Sequence, residues 1–285
     1  MAVPVAGAVP VAVPVTATAT VVPPAVDAAS LFASEGMTVQ QNLKDCMRCC
    51  ICQPNWQWTV HSYSPSYTEG QGFPTVLFIQ EDAAQCPARS FSFWAPGCRK
   101  TTYHVHEGKD ASGPKIMEHT KEMTCGKDAI VLLTDQGPVY CPMCCCLPYL
   151  QTNDTNGIKI GKTQYLCDMY LWVPKFMVED HTGKPMYLIR PDTCCGGCCI
   201  ECQCGGNGGR CCRVPFHIRD PETKEPIDDS MILWLWPGIK KACCQRNNYA
   251  VKFPKQASLE MRKTLMGSVI LMDMALFEVD QNGGN

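Results

Sequence analysis

The sequence predicts a mainly β fold, a closed or sandwich-like antiparallel domain around one apolar C-terminal helix. Three observations carry that expectation. Short apolar runs separated by turn residues recur from about residue 75 onward. Several of them alternate with period two, as half-buried strands do. One segment, ASLEMRKTLMGSVILMDMALFEV at 257–279, breaks the pattern with helix formers throughout.

The expected strands are TVLFIQ (75–80), FSFW (91–94), TTYHVHE (101–107), AIVLLT (129–134) and GIKIGK (157–162). They continue with KFMVED (175–180), PMYLIR (185–190), VPFHIR (214–219) and MILWLW (231–236). Tyr103 and Val105 face one way, His104 and His106 the other; Phe216 and Ile218 alternate in the same sense with His217 and Arg219. His181-Thr182-Gly183-Lys184 supplies a turn between two runs. So many short strands at regular spacing suit a barrel or sandwich.

The helix has Ser258 at its N-cap position and Glu260 in its first turn, where a carboxylate suits the helix dipole. Residues 264–272 are uncharged, and then Asp273 interrupts. A spanning helix wants roughly 20 mostly apolar residues. This stretch is shorter and carries an acid, so a helix enclosed by the sheet is favoured over a membrane span. Leu265, Val269 and Leu276 share the face of Asp273, so its carboxylate needs a donor partner inside the protein.

Residues 1–36 begin with a low-complexity Ala/Val/Pro run and are expected to form a disordered tail ahead of a domain over 37–281. The tail reads as a spacer or as a docking segment for proline-recognition domains. A net charge of −2 over 285 residues argues against a basic nucleic-acid binder. The sequence offers no nucleophile–base pairing and no phosphate loop, so bond-making chemistry is not expected.

Of the 22 cysteines, eight fall within TCCGGCCIECQCGGNGGRCC at 193–212, and many adjoin one another. Adjacent cysteines are awkward to bridge, because disulfide geometry is narrow. The first residues lack the basic start of an export signal, so reduced thiols and a cytosolic environment are expected. Cys141-x2-Cys144, Cys195-x2-Cys198 and Cys199-x2-Cys202 have zinc-ligand spacing, which makes a structural zinc protein one reading. S-acylation is the other: it needs reachable thiols on a flexible loop and no strict spacing. The candidates are Cys141, Cys144, Cys145, Cys146, Cys194, Cys195, Cys198 and Cys199. Downstream, Lys240, Lys241, Lys252, Lys255, Arg262 and Lys263 make a basic stretch with Glu260 its one acid. With Cys243, Cys244, Trp234 and Trp236 close by, it reads as a surface for an anionic leaflet.

The run QRNNYAVKFPKQASLEMRKTLMGSVILMDMALFE at 245–278 resembles the C-terminal signature of phospholipid scramblases. The resemblance rests on Phe253-Pro254, Arg262-Lys263, and Asp273 with Phe277-Glu278. VLFIQEDAAQCPAR, CPMCCCLPYLQ, KFMVED and the Trp236, Gly238, Ile239 segment match the family in order, over roughly residues 70–280. The resemblance implies a twelve-stranded antiparallel tubby-like barrel enclosing the C-terminal helix. It implies bidirectional, ATP-independent movement of phospholipids between leaflets, calcium stimulation, and palmitoylated cysteines holding the protein at the cytoplasmic face of the plasma membrane. Alternatively, an acyl-anchored tubby-like protein would bind lipid or scaffold without transport. The family's calcium loop falls on 245–256, with candidate ligands Gln245, Asn247, Tyr249, Val251, Phe253 and Gln256. Amides stand where the family has acids, so a weak site is expected. The family's basic import segment is replaced by DDSMILWLW, so nuclear import and nucleic-acid binding are not expected.

Overall fold

A computed structural model describes residues 27–42, 56–64, 74–82, 100–121, 131–134, 137–140, 147–166, 173–192, 213–235 and 247–277. Helix α1 (Ala28–Ala33) leads into β1 (Gly36–Asn42), β2 (Gln57–Ser62), β3 (Leu77–Glu81), β4 (Thr101–Glu107) and β5 (Lys115–Lys121). A separate hairpin, β6 (Val131–Thr134) and β7 (Gly137–Tyr140), precedes β8 (Tyr149–Asp154). The chain continues through β9 (Lys159–Leu166), β10 (Lys175–Asp180), β11 (Pro185–Pro191), β12 (Arg213–Arg219), β13 (Pro226–Leu235) and β14 (Asn248–Lys252). Helix α2 (Leu259–Met272) ends in a π-helical turn, Asp273–Phe277.

Apart from β6 and β7, the strands form one closed antiparallel barrel, with β14 paired to β1 at the seam. Period-two alternation sorts the side chains. Val39, Trp58, Val60, Ile79, Val105, Met117, Leu150, Phe176, Val178, Ile189, Phe216, Ile218, Ile232 and Val251 are fully buried. Helix α2 occupies the space they enclose: every residue from Thr264 to Met272 is buried. A helix apolar all round has no face to offer water, and a barrel interior gives it partners on every side. Each of its large apolar side chains contributes about 1.5–3 kcal/mol by leaving water.

The helix lies closest to β8, β9 and β10, and two glycines allow that approach. A Cβ at Gly161 would stand 2.3 Å from Thr264 Oγ1 and 3.0 Å from the Glu179 carbonyl oxygen. A Cβ at Gly267 would stand 2.8 Å from the His119 ring and 2.9 Å from Leu150. Beside the first contact, Ser268 and Thr163 share a 2.7 Å hydroxyl hydrogen bond.

The fold begins earlier than composition suggests. Residues 27–36, assigned to the tail, form α1 and the start of β1. Asp27 caps the helix by accepting from the Ser30 N–H at 2.8 Å, and Leu31 and Phe32 are buried in the common core. The expected strand at 91–94 lies outside the described residues, as does the tail over 1–26.

Gly161→Ala is expected to cost about 1–3 kcal/mol through overpacking against Thr264. Urea unfolding checks this, and the loss should shrink in a Thr264→Ala background.

Candidate functional site at the cysteine-bearing end of the barrel

In an up-and-down barrel, alternate connections leave alternate ends. One end carries the connections β2–β3, β4–β5, β8–β9, β10–β11, β12–β13 and β14–α2. The other carries β1–β2, β3–β4, β5–β8, β9–β10, β11–β12 and β13–β14, together with the C-terminus of α2. Every one of the 22 cysteines belongs to this second set of connections, and each of the six holds at least one. The S-acylation candidates Cys141, Cys144, Cys145 and Cys146 belong to β5–β8, and Cys194, Cys195, Cys198 and Cys199 to β11–β12; all eight lie outside the described residues.

A polar cluster sits inside the barrel at this end. Asp273, fully buried, accepts from Trp58 Nε1 at 3.1 Å, Asn247 Nδ2 at 2.6 Å and Tyr249 OH at 2.9 Å. Asn247 Oδ1 in turn accepts from Trp234 Nε1 at 3.1 Å. Burial, then the Asp273 charge, pushes the Tyr249 phenol well above its ordinary range, which keeps it a donor. Trp58 packs edge-on against Tyr103 with centroids 5.5 Å apart, and Tyr103 OH lies 2.7 Å from Met274 Sδ. The partner that Asp273 demands is thus a set of three donors, none of which the local sequence announces.

Several assigned residues do other work. The basic stretch is divided by β14: Lys252, Lys255, Arg262 and Lys263 lie toward the cysteine-free end. Lys240 and Lys241 belong to the β13–β14 connection at the other end, outside the described residues. Arg262 donates through Nη1 to the carbonyls of Phe32 at 2.8 Å and Ser34 at 2.7 Å, tying α2 to the end of α1. Its guanidinium also lies over the Phe253 ring. Lys252 pairs with Asp229. Trp234 is a core residue rather than an interfacial one.

The described part of the expected calcium segment does not fit that ion. Residues Asn248–Lys252 are a barrel strand, not a loop. The oxygens of Asn247 and Tyr249 are engaged within the Asp273 cluster, while Val251 and Phe253 are buried apolar residues. Gln256 is exposed in the β14–α2 connection, and Gln245 lies outside the described residues. Calcium requires several oxygens converging on one point, and of the described candidates only Gln256 presents a side-chain oxygen outside the Asp273 cluster. Among the described residues, no His/Cys/Asp/Glu group is arranged to hold a metal. The zinc-spaced cysteines lie outside that set.

A second buried polar group, His119, shares a 3.0 Å hydrogen bond with Thr152 Oγ1 beside Gly267. Its Nε2 is enclosed without a partner. Burial drives its pKa down to about 3 from 6.5, so the folded protein holds the ring neutral. Between those values the unfolded chain binds the extra proton, so stability is complete above pH 6.5 and is lost as pH falls toward 3. At 1.36 kcal/mol per unit the loss reaches about 5 kcal/mol.

Two measurements follow. Tyr249→Phe should cost about 1.5–3 kcal/mol in urea unfolding, as expected for losing a hydrogen bond to a charged acceptor. Asp273→Ala, which strands three donors, should cost more. Stability measured between pH 7 and pH 4 should decline in the native protein, and His119→Gln should flatten that decline.

A model of the scramblase family matches residues 98–279. Phospholipid scramblase 2 of Bos taurus is 24% identical over 161 residues, which cover 54% of this chain and 47% of that protein. Phospholipid scramblase 1 of Homo sapiens is 25% identical over 154 residues, covering 52% and 42%. The chain thus spans about half the length of the curated relatives it matches. No solved structure matches it. The family match takes in most of the barrel and the whole of α2, and it runs over more than half of the sequence. The chain belongs to the scramblase family.

Proposed function

We propose that this protein is held at the cytoplasmic face of the plasma membrane by S-acylated cysteines and moves phospholipids between leaflets in both directions without ATP. The observation that carries the reading is the collection of all 22 cysteines in connections leaving one end of the barrel. A single acyl chain anchors only marginally, and each buried CH₂ adds about 0.8 kcal/mol. Chains on connections that share one end enter one leaflet together, with the barrel standing on that end. Lys240 and Lys241 belong to one of those connections, and each adds about 1 kcal/mol beside anionic lipid. Family membership supports phospholipid as the partner.

One observation favours a second reading, an acyl-tethered lipid-binding protein without transport. The apolar helix α2 is already enclosed, and among the described residues no helix is long and apolar enough to cross a membrane. Calcium stimulation would require ligands outside residues 247–256.

Hydroxylamine-sensitive acyl labelling tests the anchor. Label should fall when Cys141, Cys144, Cys145 and Cys146 become Ser, and fall again when Cys194, Cys195, Cys198 and Cys199 do. Co-flotation with membranes should then be lost; an unlabelled native protein would end the anchoring reading. Reconstituted vesicles carrying a fluorescent phosphatidylcholine test transport, with flip above empty vesicles expected. Vesicle binding without flip would establish the second reading instead.

A further inference from the structure

The hairpin β6–β7 stands apart from the barrel, and the packing around α2 does not account for its sequence. Its strands, VLLT (131–134) and GPVY (137–140), pair with each other and with no other described strand. The register sets Val131 opposite Tyr140 and Leu133 opposite Pro138, and these four share one face. Leu132 opposite Val139 and Thr134 opposite Gly137 share the other. A barrel strand sorts its residues: on β4, Tyr103 and Val105 are buried, and His104 and His106 alternate with them at partial exposure. The hairpin has no such division. Large apolar residues occupy both faces, and neither strand carries a charge.

A two-stranded hairpin is marginal in water and gains stability from an apolar surface to pack on. Each strand also keeps one edge that no described strand pairs. Soluble proteins guard such edges with charges, which these strands lack. Pro138 removes a donor from β7, so the hairpin is a poor template for pairing with a second copy. Its place in the chain points to lipid instead. The hairpin interrupts the β5–β8 connection, which leaves the cysteine-bearing end of the barrel. Eight residues (141–148) join it to β8, and four of them are the acylation candidates Cys141, Cys144, Cys145 and Cys146. Cys141 directly follows Tyr140, so an acyl chain there holds the end of β7 at the membrane surface. Dimensions set the depth. Four residues at about 3.3 Å each make a strand of about 13 Å, whereas a strand that crosses needs roughly 9–11 residues. Unpaired edges are costly in hydrocarbon, where no water reaches them. At the headgroup boundary the edges keep their water while apolar residues meet the acyl chains, and a tyrosine suits that layer.

We propose that β6–β7 is a membrane-docking hairpin that lies flat in the boundary between headgroups and acyl chains, a second and non-covalent contact with the leaflet. The assignment rests on the reading that the cysteine-bearing end faces membrane phospholipid. The hairpin acts before any acyl chain is attached: it brings Cys141, Cys144, Cys145 and Cys146 to the surface, and the first chain then keeps them there.

The test uses the full chain freed of acyl groups by hydroxylamine, so that docking is read apart from anchoring and flip. Co-flotation is measured with vesicles of equimolar phosphatidylserine and phosphatidylcholine, and binding is expected. Amide hydrogen exchange over 131–140 should slow at least about tenfold when vesicles are added. Leu132→Asp and Leu133→Asp, one on each face, should each weaken binding at least about tenfold, and Leu132→Trp should bind at least as well as the native chain. Ile158→Asp, the same change at an exposed residue of the β8–β9 turn at the opposite end, should leave binding within about twofold. Thermal melts should show the barrel intact in all four variants. Equal binding by the native chain and both hairpin Asp variants would overturn the proposal, as would hairpin exchange that vesicles do not slow. Slow exchange already present without vesicles would show the hairpin covered by its own chain. Exchange slowed by raising protein concentration alone would show it covered by a second copy. Either result would overturn the proposal. If the acylated chain floats and the hydroxylamine-treated chain does not, acyl anchoring stands and docking by the hairpin is overturned alone.

Discussion

A carboxylate buried at the end of the enclosed helix fixes how the rest of the molecule goes together. Asp273 sits where helix carbonyls already concentrate negative partial charge, an unfavourable place for an acid. Three donors offset that cost, and they come from two places: Trp58 on β2, and Asn247 with Tyr249 at the start of β14. Between β2 and β14 lies β1, so one side chain ties together the strands on both sides of the seam. A slip of the helix by one turn, about 5.4 Å, would leave a charge and three donors unsatisfied among apolar side chains. At the opposite end Arg262 does the complementary work on the carbonyls of α1. The helix is therefore indexed at both ends by charges, and between them by the Gly161–Thr264 and Gly267–His119 approaches and the Ser268–Thr163 hydrogen bond.

Strands with strong alternation were legible in the sequence: β4, β10, β11 and β12 lie within a residue of their expected bounds. β1, β2, β5, β8 and β14 were not. The inward faces of β5, β8 and β14 carry polar residues such as His119, Thr152 and Tyr249, which weaken the hydrophobic period that a strand displays. Those residues are tolerated because the helix brings Asp273 and Gly267 to meet them, and its Ser268 meets Thr163 of β9 in the same way. The Trp58–Asp273 and Thr163–Ser268 contacts span 215 and 105 residues of sequence, and even Asn247 and Tyr249 are 26 and 24 residues from Asp273, beyond the reach of any local pattern. The need of Asp273 for a donor could be read, but the identity of its donors could not. The basic stretch misled for a related reason: five residues of β14 carry the chain from one end of the barrel to the other, so sequence neighbours part company in space.

For the cysteines the reverse holds. Their abundance is plain in the sequence, but their meaning comes from topology. Twenty-two thiols scattered over six segments look like a compositional bias until the strand directions show that all six connections leave the same end of the barrel. The described strands and helices contain none of them. The scaffold and the thiol-bearing connections are thus separable: those connections can change in length and thiol content while the core that seats α2 is untouched.

The pairing of β1 with β14 has a consequence for biosynthesis. A cylinder whose first stave bonds to its last cannot be sealed until β14, more than two hundred residues after β1, has left the ribosome. At roughly 5–20 residues per second, that leaves open sheet edges exposed for tens of seconds. Non-local strand pairing of this kind is also slow in itself. The plug that completes the interior is made after the final stave, so the core is the last part of the domain that synthesis can complete.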